Sequence, residues 1–320
     1  MTTSLRAVPR HEGPRVSVAQ ARARIGGCEI AVPASAANLG PGFDAVAVAL
    51  QLYLRIRVCE VFDGSLNGLS FDLCGTPLTG ENYIERAFRS LADAERLEFP
   101  SLAIEVRSDI PMKGGLGSSA AATVAGLRLF ERLAGPREGR DLLRAATELD
   151  IHADNVAAAL LGGLTISCVA QDGRVLARAI PWPSHVGFIV ASPAVHLATP
   201  DARRVLPDVY TREDAVFNLQ RALLLVHAIE HGDLSVVQEA LRDRWHQPFR
   251  AALVPGLTEA LALQHRSLVG VCLSGSGPSV LALATGDFDE IAGLLRDIYA
   301  RLQVPCEVRA VAAHQPGAVS

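Results

Sequence analysis

The stretch "DIPMKGGLGSSAAATVAGLRLFERLAGP", Asp109 to Pro136, constrains the fold more than any other part of the chain. It sets Gly114, Gly115 and Gly117 between the end of an alternating apolar run and the start of a long alanine-rich helix. Glycine adopts positive φ without steric cost, so the chain can turn sharply there. Pro111 stops the preceding strand, and Ser118 or Ser119 is placed to cap the helix. The predicted product is a tight turn whose peptide N–H groups converge on a helix N-terminus. Such a terminus stabilises a nearby negative charge by about 0.3–2 kcal/mol, before any direct hydrogen bond is counted. Lys113, the only lysine in the chain, stands beside it. A Walker A loop needs that lysine to be followed by Ser or Thr, and here Gly114 follows. The spacing also fails G-x-G-x-x-G, which argues against a dinucleotide-binding fold.

Two further glycine loops flank this one. "PASAANLGPGFD" runs from Pro33 to Asp44 and carries the polar heads Asn38 and Asp44. "CLSGSGPSV", Cys272 to Val280, joins two apolar strands. Alternation predicts a strand in the second half of Ala45 to Val58. A hairpin and loop should follow, then a helix from Tyr83 to about Glu98 and a strand near 101–110. Beyond the long helix come a helix from Arg137 to Leu149 and a short helix and strand in "DIHADNVAAALLGGLTISCVA". "PWPSHVGFIVASP" marks a break between domains, and residues 212–263 read as mostly helical. A strand–turn–strand, a helix and a last strand, "CEVRAVAA", close the chain. Strands and helices mixed without a regular βαβα cadence predict an α+β fold.

Composition narrows the partners. The chain has 320 residues and a net charge of −4, with 5% aromatic residues, so neither a polyanion nor stacking on single-stranded nucleic acid is expected. The six cysteines form no C-x-x-C pair, which points to neither a zinc site nor a disulfide framework. "HAIEH", His227 to His231, fits a short zinc-protease pattern, but Gly232 ends the helix at once and five residues match by chance. No run approaches 18 apolar residues, so no membrane span is expected and the chain reads as cytoplasmic. Residues 1–28 lack an apolar core for a secretory signal and read as a disordered tail.

Pro111 to Ala121, "PMKGGLGSSAA", resembles the ATP-binding signature of the GHMP kinase superfamily, and the flanking loops resemble its first and third motifs in the right order. "VPASAANLGPGFDAVAVAL" and "HADNVAAALLGGLTI" are most similar to its homoserine kinase branch. The resemblance covers about residues 29–313. It implies a two-domain GHMP kinase fold: an N-terminal ATP-binding domain at 29–182, like ribosomal protein S5 domain 2, and a ferredoxin-like C-terminal domain at 183–320.

The resemblance further implies ATP and Mg²⁺ as cofactors, L-homoserine as the substrate and a homodimer. In that family's fashion, Pro111, Lys113, Gly114, Gly115, Leu116, Gly117, Ser118 and Ser119 would cradle the triphosphate, with Asn82 and Tyr83 at the base. Mg²⁺ would meet Ser119 and a carboxylate, either Asp150 or Glu148; Asp150 stands where many relatives carry Glu. Asn38, Asp44, His152, Asp154, Arg203 and Arg250 would surround the amino acid, with Arg204 an alternative to its neighbour. Whether any side chain is a general base stays open; Asn155 and Lys113 are the candidates for work at the reacting groups. Two alternatives also remain: another small amino or hydroxy acid as acceptor, and a silent ligand sensor.

Overall fold

The computed structural model describes residues 13–74, 80–112, 114–149 and 152–317. Its first described helix falls inside the expected disordered tail. Helix α1 (Val18–Ile25) is fixed by a reciprocal cap in which Ser17 Oγ accepts from Gln20 N–H and Gln20 Oε1 accepts from Ser17 N–H. Ala21 and Ile25 are buried beneath it, against β2 and α3 defined below. Two apolar side chains one turn apart suffice to anchor a helix this short.

A six-stranded sheet follows, made of β1 (Glu29–Asn38), β2 (Gly42–Leu66), β3 (Leu69–Asp72), β4 (Pro100–Ser108), β5 (Leu164–Val169) and β6 (Val175–Ile180). The strand order is β3-β4-β2-β5-β6, with β1 also paired to β2. β2 is 25 residues long and begins eight residues before the predicted Leu50. The run from Val46 to Leu50 is buried throughout, so it reads as an unbroken apolar run and shows no alternation. The expected hairpin after β2 does not form among the described residues: β3 pairs parallel with β4. Helices α2 (Tyr83–Ala94), α3 (Ser118–Ala134), α4 (Gly139–Thr147) and α5 (Ala153–Leu161) cover this sheet, with α3 and α5 against β1 and β2.

Residues 181–186, within the predicted break, separate this sheet from a second one. Strands β7 (Gly187–Pro193), β8 (Leu268–Leu273), β9 (Val280–Ala284) and β10 (Cys306–Val311) lie in the order β10-β7-β9-β8, all antiparallel. Taken in chain sequence that is fourth, first, third, second, the ferredoxin-like order. The crossover from β7 to β8 carries α6 (Thr199–Arg204), α7 (Arg212–His231) and the short helices α8 (Val237–Ala240), α9 (Gln247–Arg250) and α10 (Leu257–Leu261). The predicted helical stretch 212–263 is thus one long helix followed by short turns. Helix α11 (Phe288–Arg301) crosses back to β10.

The larger core continues from the first sheet into the second. Phe188, Val190, Leu281 and Leu283 share it with the residues of β1, β2 and α3. The opposite face of β7 and β9, with Ile189, Ala191, Val280 and Ala282, packs a separate core with α10 and α11. After β10 the chain returns to the first sheet, where His314 N–H donates to Ala49 O and Leu50 bridges Ala313. No helix among the described residues is long and apolar enough to cross a membrane.

Candidate active site

The three glycine loops meet. Ser35 N–H donates to Leu116 O, Ser279 N–H to Gly114 O, and Ser274 Oγ to Gly115 O at 2.7 Å. The outer two are joined by Gly275 N–H to Ala37 O and by Asn38 Nδ2 to Gly275 O at 2.9 Å. This contact explains the glycines. At Gly115 (φ +74°) a Cβ would lie 2.4 Å from Ser274 O, and at Gly117 (φ +68°) one would lie 2.1 Å from Ser35 Oγ. The side chains are excluded by neighbouring loops, and the peptide faces turned away from those loops stay clear.

Neither Ser118 nor Ser119 caps α3. The cap position is Gly117 in a left-handed conformation, with no side-chain hydrogen bond. The N–H groups of Gly117, Ser118 and Ser119 have no acceptor among the described residues. These three residues line a cavity of about 900 Å³. Open amides at a helix start form a cradle for phosphate oxygens, so the chain's own geometry fits a nucleotide triphosphate tail.

Leu54, Leu73, Val106, Ile110, Tyr83 and Ile84 make one wall of the cavity apolar, suited to a flat heterocycle. Asn82 is the N-cap of α2, its Oδ1 accepting from Ile84 and Glu85 N–H, which leaves its Nδ2 for the cavity.

The other end is charged. Asp44 sits at φ +54°, with its N–H held by Asn38 Oδ1 at 3.0 Å, and its Oδ1 accepts from Arg203 at 2.7 Å. The same Arg203 nitrogen donates to His152 Nδ1 at 3.2 Å. Asp154, in the first turn of α5, is 2% exposed. Its Oδ1 accepts from the N–H and the Nδ2 of Asn155, and its Oδ2 has no partner among the described residues. Burial raises its pKa, and the neighbouring Asp44 carboxylate adds to the rise. Asn155 Oδ1 in turn accepts from the buried Ser35 Oγ at 2.9 Å.

Arg250 is buried as well. Its Nε donates to Ala202 O, and one terminal nitrogen donates to Gly275 O and to His246 Nδ1. The second terminal nitrogen has no hydrogen-bond partner among the described residues, while the residue lines the cavity. Burial lowers its pKa to about 10, which leaves it charged near neutrality.

Fifteen of the sequence-derived residues therefore share one cavity wall: Asn38, Asp44, Asn82, Tyr83, Gly114, Gly115, Leu116, Gly117, Ser118, Ser119, His152, Asp154, Asn155, Arg203 and Arg250. The remaining four stand apart from it or outside the described residues. Pro111 lines a smaller neighbouring cavity. Glu148 ends α4 outside the wall, beside Arg144 at 3.8 Å. Lys113 and Asp150 lie outside the described residues. Arg204, the alternative to Arg203, pairs with Asp201 and is absent from the wall.

The GHMP kinases N terminal domain model matches residues 82–163, and the GHMP kinases C terminal model matches residues 225–300. A homoserine kinase of Solibacter usitatus is 40% identical over 270 residues, covering 84% of this chain and 88% of that one. One from Thermus thermophilus is 41% identical over 256 residues, covering 79% and 85%. The crystal structure of homoserine kinase from Cytophaga hutchinsonii superposes with a TM-score of 0.79 at 27% identity, covering 90% and 95%. This chain belongs to the homoserine kinase family. It has the two-domain GHMP kinase fold.

Several residues that support the cavity from behind its wall escape a reading of this family's motifs. Phe43 carries the guanidinium groups of both Arg203 and Arg250 over its ring, each 5.5 Å from the centroid. Ser35 and Ser274 hold the glycine loop and Asn155. The serines sit inside glycine-rich loops where they look like turn formers, and only their partners, about 120 and 159 residues away in sequence, give them a role.

Proposed function

We propose that this chain transfers the γ-phosphoryl group of ATP to the hydroxyl of L-homoserine, giving O-phospho-L-homoserine on the way to threonine. The observation that carries the reading is one continuous cavity, with open amides of a glycine loop at one end and Asp44, Asp154, Arg203 and Arg250 at the other. A triphosphate and a zwitterionic amino acid need those two ends side by side.

Phosphoryl transfer depends on alignment and charge neutralisation more than on covalent participation by the protein. The amides of Gly117, Ser118 and Ser119 take the phosphate oxygens, and Lys113 adds its charge there. The unpartnered Asp154 Oδ2, with Asp44, receives the ammonium of the acceptor, which offsets the cost of keeping a buried carboxylate ionised. Arg203 and the free nitrogen of Arg250 take the carboxylate; a guanidinium fork suits that shape. So held, the acceptor oxygen bonds to the γ-phosphorus as the bond to the ADP oxygen breaks, and the hydroxyl proton passes to solvent. Asn155, locked by Ser35 and Asp154, keeps its amide at the reacting end. Mg²⁺ bound with the nucleotide would neutralise phosphate charge; the Ser119 hydroxyl on the wall fits it, and Asp150 is the carboxylate assigned to it.

ADP release measured with homoserine, threonine, serine, mevalonate and shikimate tests the reading. The highest kcat/KM is expected with homoserine. A higher value with another of the five reassigns the acceptor, and no turnover with any of them, despite ATP binding, makes the chain a sensor.

A further inference from the structure

We infer that His246 is a positioning residue for the acceptor site, acting through Arg250 as a neutral imidazole fixed in one tautomer. The inference rests on the reading above that Arg250 receives the acceptor's carboxylate.

His246 is fully buried at the start of α9, its ring stacked 5.5 Å from that of Phe43. Its Nδ1 lies 3.1 Å from a terminal nitrogen of Arg250, and its Nε2 lies 2.8 Å from Gly40 O. A guanidinium nitrogen only donates, so Nδ1 must accept. Gly40 O only accepts, so Nε2 must carry the proton. Both contacts are satisfied by a single species, the neutral ring protonated on Nε2. A proton on Nδ1 would face the guanidinium directly.

The ring is held from behind. Asp243, whose side chain is also fully buried, accepts from the N–H groups of Trp245, His246 and Gln247 and from Asn218 Nδ2. Its carboxylate oxygen is 3.6 Å from His246 Nε2. Gly40 belongs to the loop that carries Asn38 and Asp44. His246 thus links both halves of the acceptor site: the loop bearing Asp44 on one side and the guanidinium of Arg250 on the other. With Nε, and one terminal nitrogen, committed to Ala202, Gly275 and His246, the guanidinium plane is fixed and its remaining nitrogen is turned to the cavity.

Two substitutions separate this role from general packing. His246→Gln keeps a donor at the Nε2 position and loses the acceptor for Arg250; His246→Asn restores an acceptor at the Nδ1 position. H246Q should raise the acceptor KM about tenfold, the factor expected for one hydrogen bond to a charged group, and leave the ATP KM within about twofold. H246N should recover most of that loss. Equal rises in both KM values, or an H246N as impaired as H246Q, would overturn the inference. The KM split is read with whichever acceptor the wild-type chain turns over, so a wrong assignment of homoserine does not disturb it. Independently of turnover, ¹⁵N-histidine NMR of the full chain should show a pyridine-like Nδ1 and a pyrrole-like Nε2 for His246. The reverse pattern refutes the tautomer, and with it the inference, even where a variant fails to fold.

Discussion

At Gly117 the backbone is left-handed and an added methyl would strike Ser35 Oγ at 2.1 Å and Asn155 Oδ1 at 2.9 Å. Gly114, three residues earlier in the same loop, has no positive φ, and its nearest prospective neighbour is 3.2 Å away. The two glycines should therefore respond differently. Gly117→Ala is expected to cost about 1–3 kcal/mol in a urea titration and to raise the ATP KM, whereas Gly114→Ala should stay within about 1 kcal/mol. Comparable losses for both would mean that loop-to-loop contact is not what selects glycine. Asp154 offers a second contrast. Its pKa is raised in the fold, so the folded state holds the proton more tightly than the unfolded chain. That contribution to stability is complete below the ordinary carboxylate range and is lost as pH rises through the raised value. Asp154→Asn removes the ionisation and keeps an acceptor for Asn155. The variant should therefore melt higher than wild type at pH 7, by an advantage that shrinks as pH falls toward 4, while losing acceptor turnover. A lower melting temperature at pH 7 would show that the ionised carboxylate is stabilised in the fold.

Helices start where the site needs them. α3 begins on a bare glycine and leaves its first amides open; α2 begins on Asn82, whose carbonyl satisfies two of its own. The role of Asn82 is thereby divided between cap and cavity. Asn82→Asp keeps the capping acceptor and removes the amide donor, so it should hold stability within about 0.5 kcal/mol while raising the ATP KM. Asn82→Ala should lose about 1 kcal/mol as well, and urea titrations beside ATP saturation curves distinguish the two. At this scale the sequence was most legible where periodicity is strong. α4 and β4 run within two residues of expectation at both ends. The run from Val46 to Leu50 in β2 was hidden because burial on both faces removes alternation. The pairing of β3 with β4 was hidden because a parallel partner lies beyond α2 in the chain. Helix α1 was missed because two buried side chains, Ala21 and Ile25, leave a weak pattern amid arginines.

The molecule as a whole is two sheets that share a core. Trp182, at the predicted boundary, stacks on Phe188 of β7 at 4.7 Å, and its Nε1 donates to Val186 O. Phe188, Val190, Leu281 and Leu283 bury their side chains with those of the first sheet, each contributing about 1.5–3 kcal/mol by leaving water. The tail from Ala312 to Gln315 also returns to the first sheet, through Ala312 O to Gln51 N–H and Gln315 to Trp182. A fragment ending at residue 182 loses all of these, so it should show no cooperative thermal transition and broad amide NMR signals. The full chain should unfold in one step. A sharp melt from the fragment would establish an independent first domain.

Local chemistry is what the sequence determined. Three glycine loops, a tight turn into a helix start, the identity of the charged groups and the α+β character all follow from spacing and residue type, because backbone conformation and helix starts depend on neighbours a few residues away. What required the tertiary structure is which groups remain available. Ser35 and Ser274 became struts, Glu148 fell outside the cavity, and His246 joined two loops. Arg250 kept one free nitrogen of three, since a side chain's spare hydrogen-bonding capacity is set by partners that only the assembled fold brings within reach.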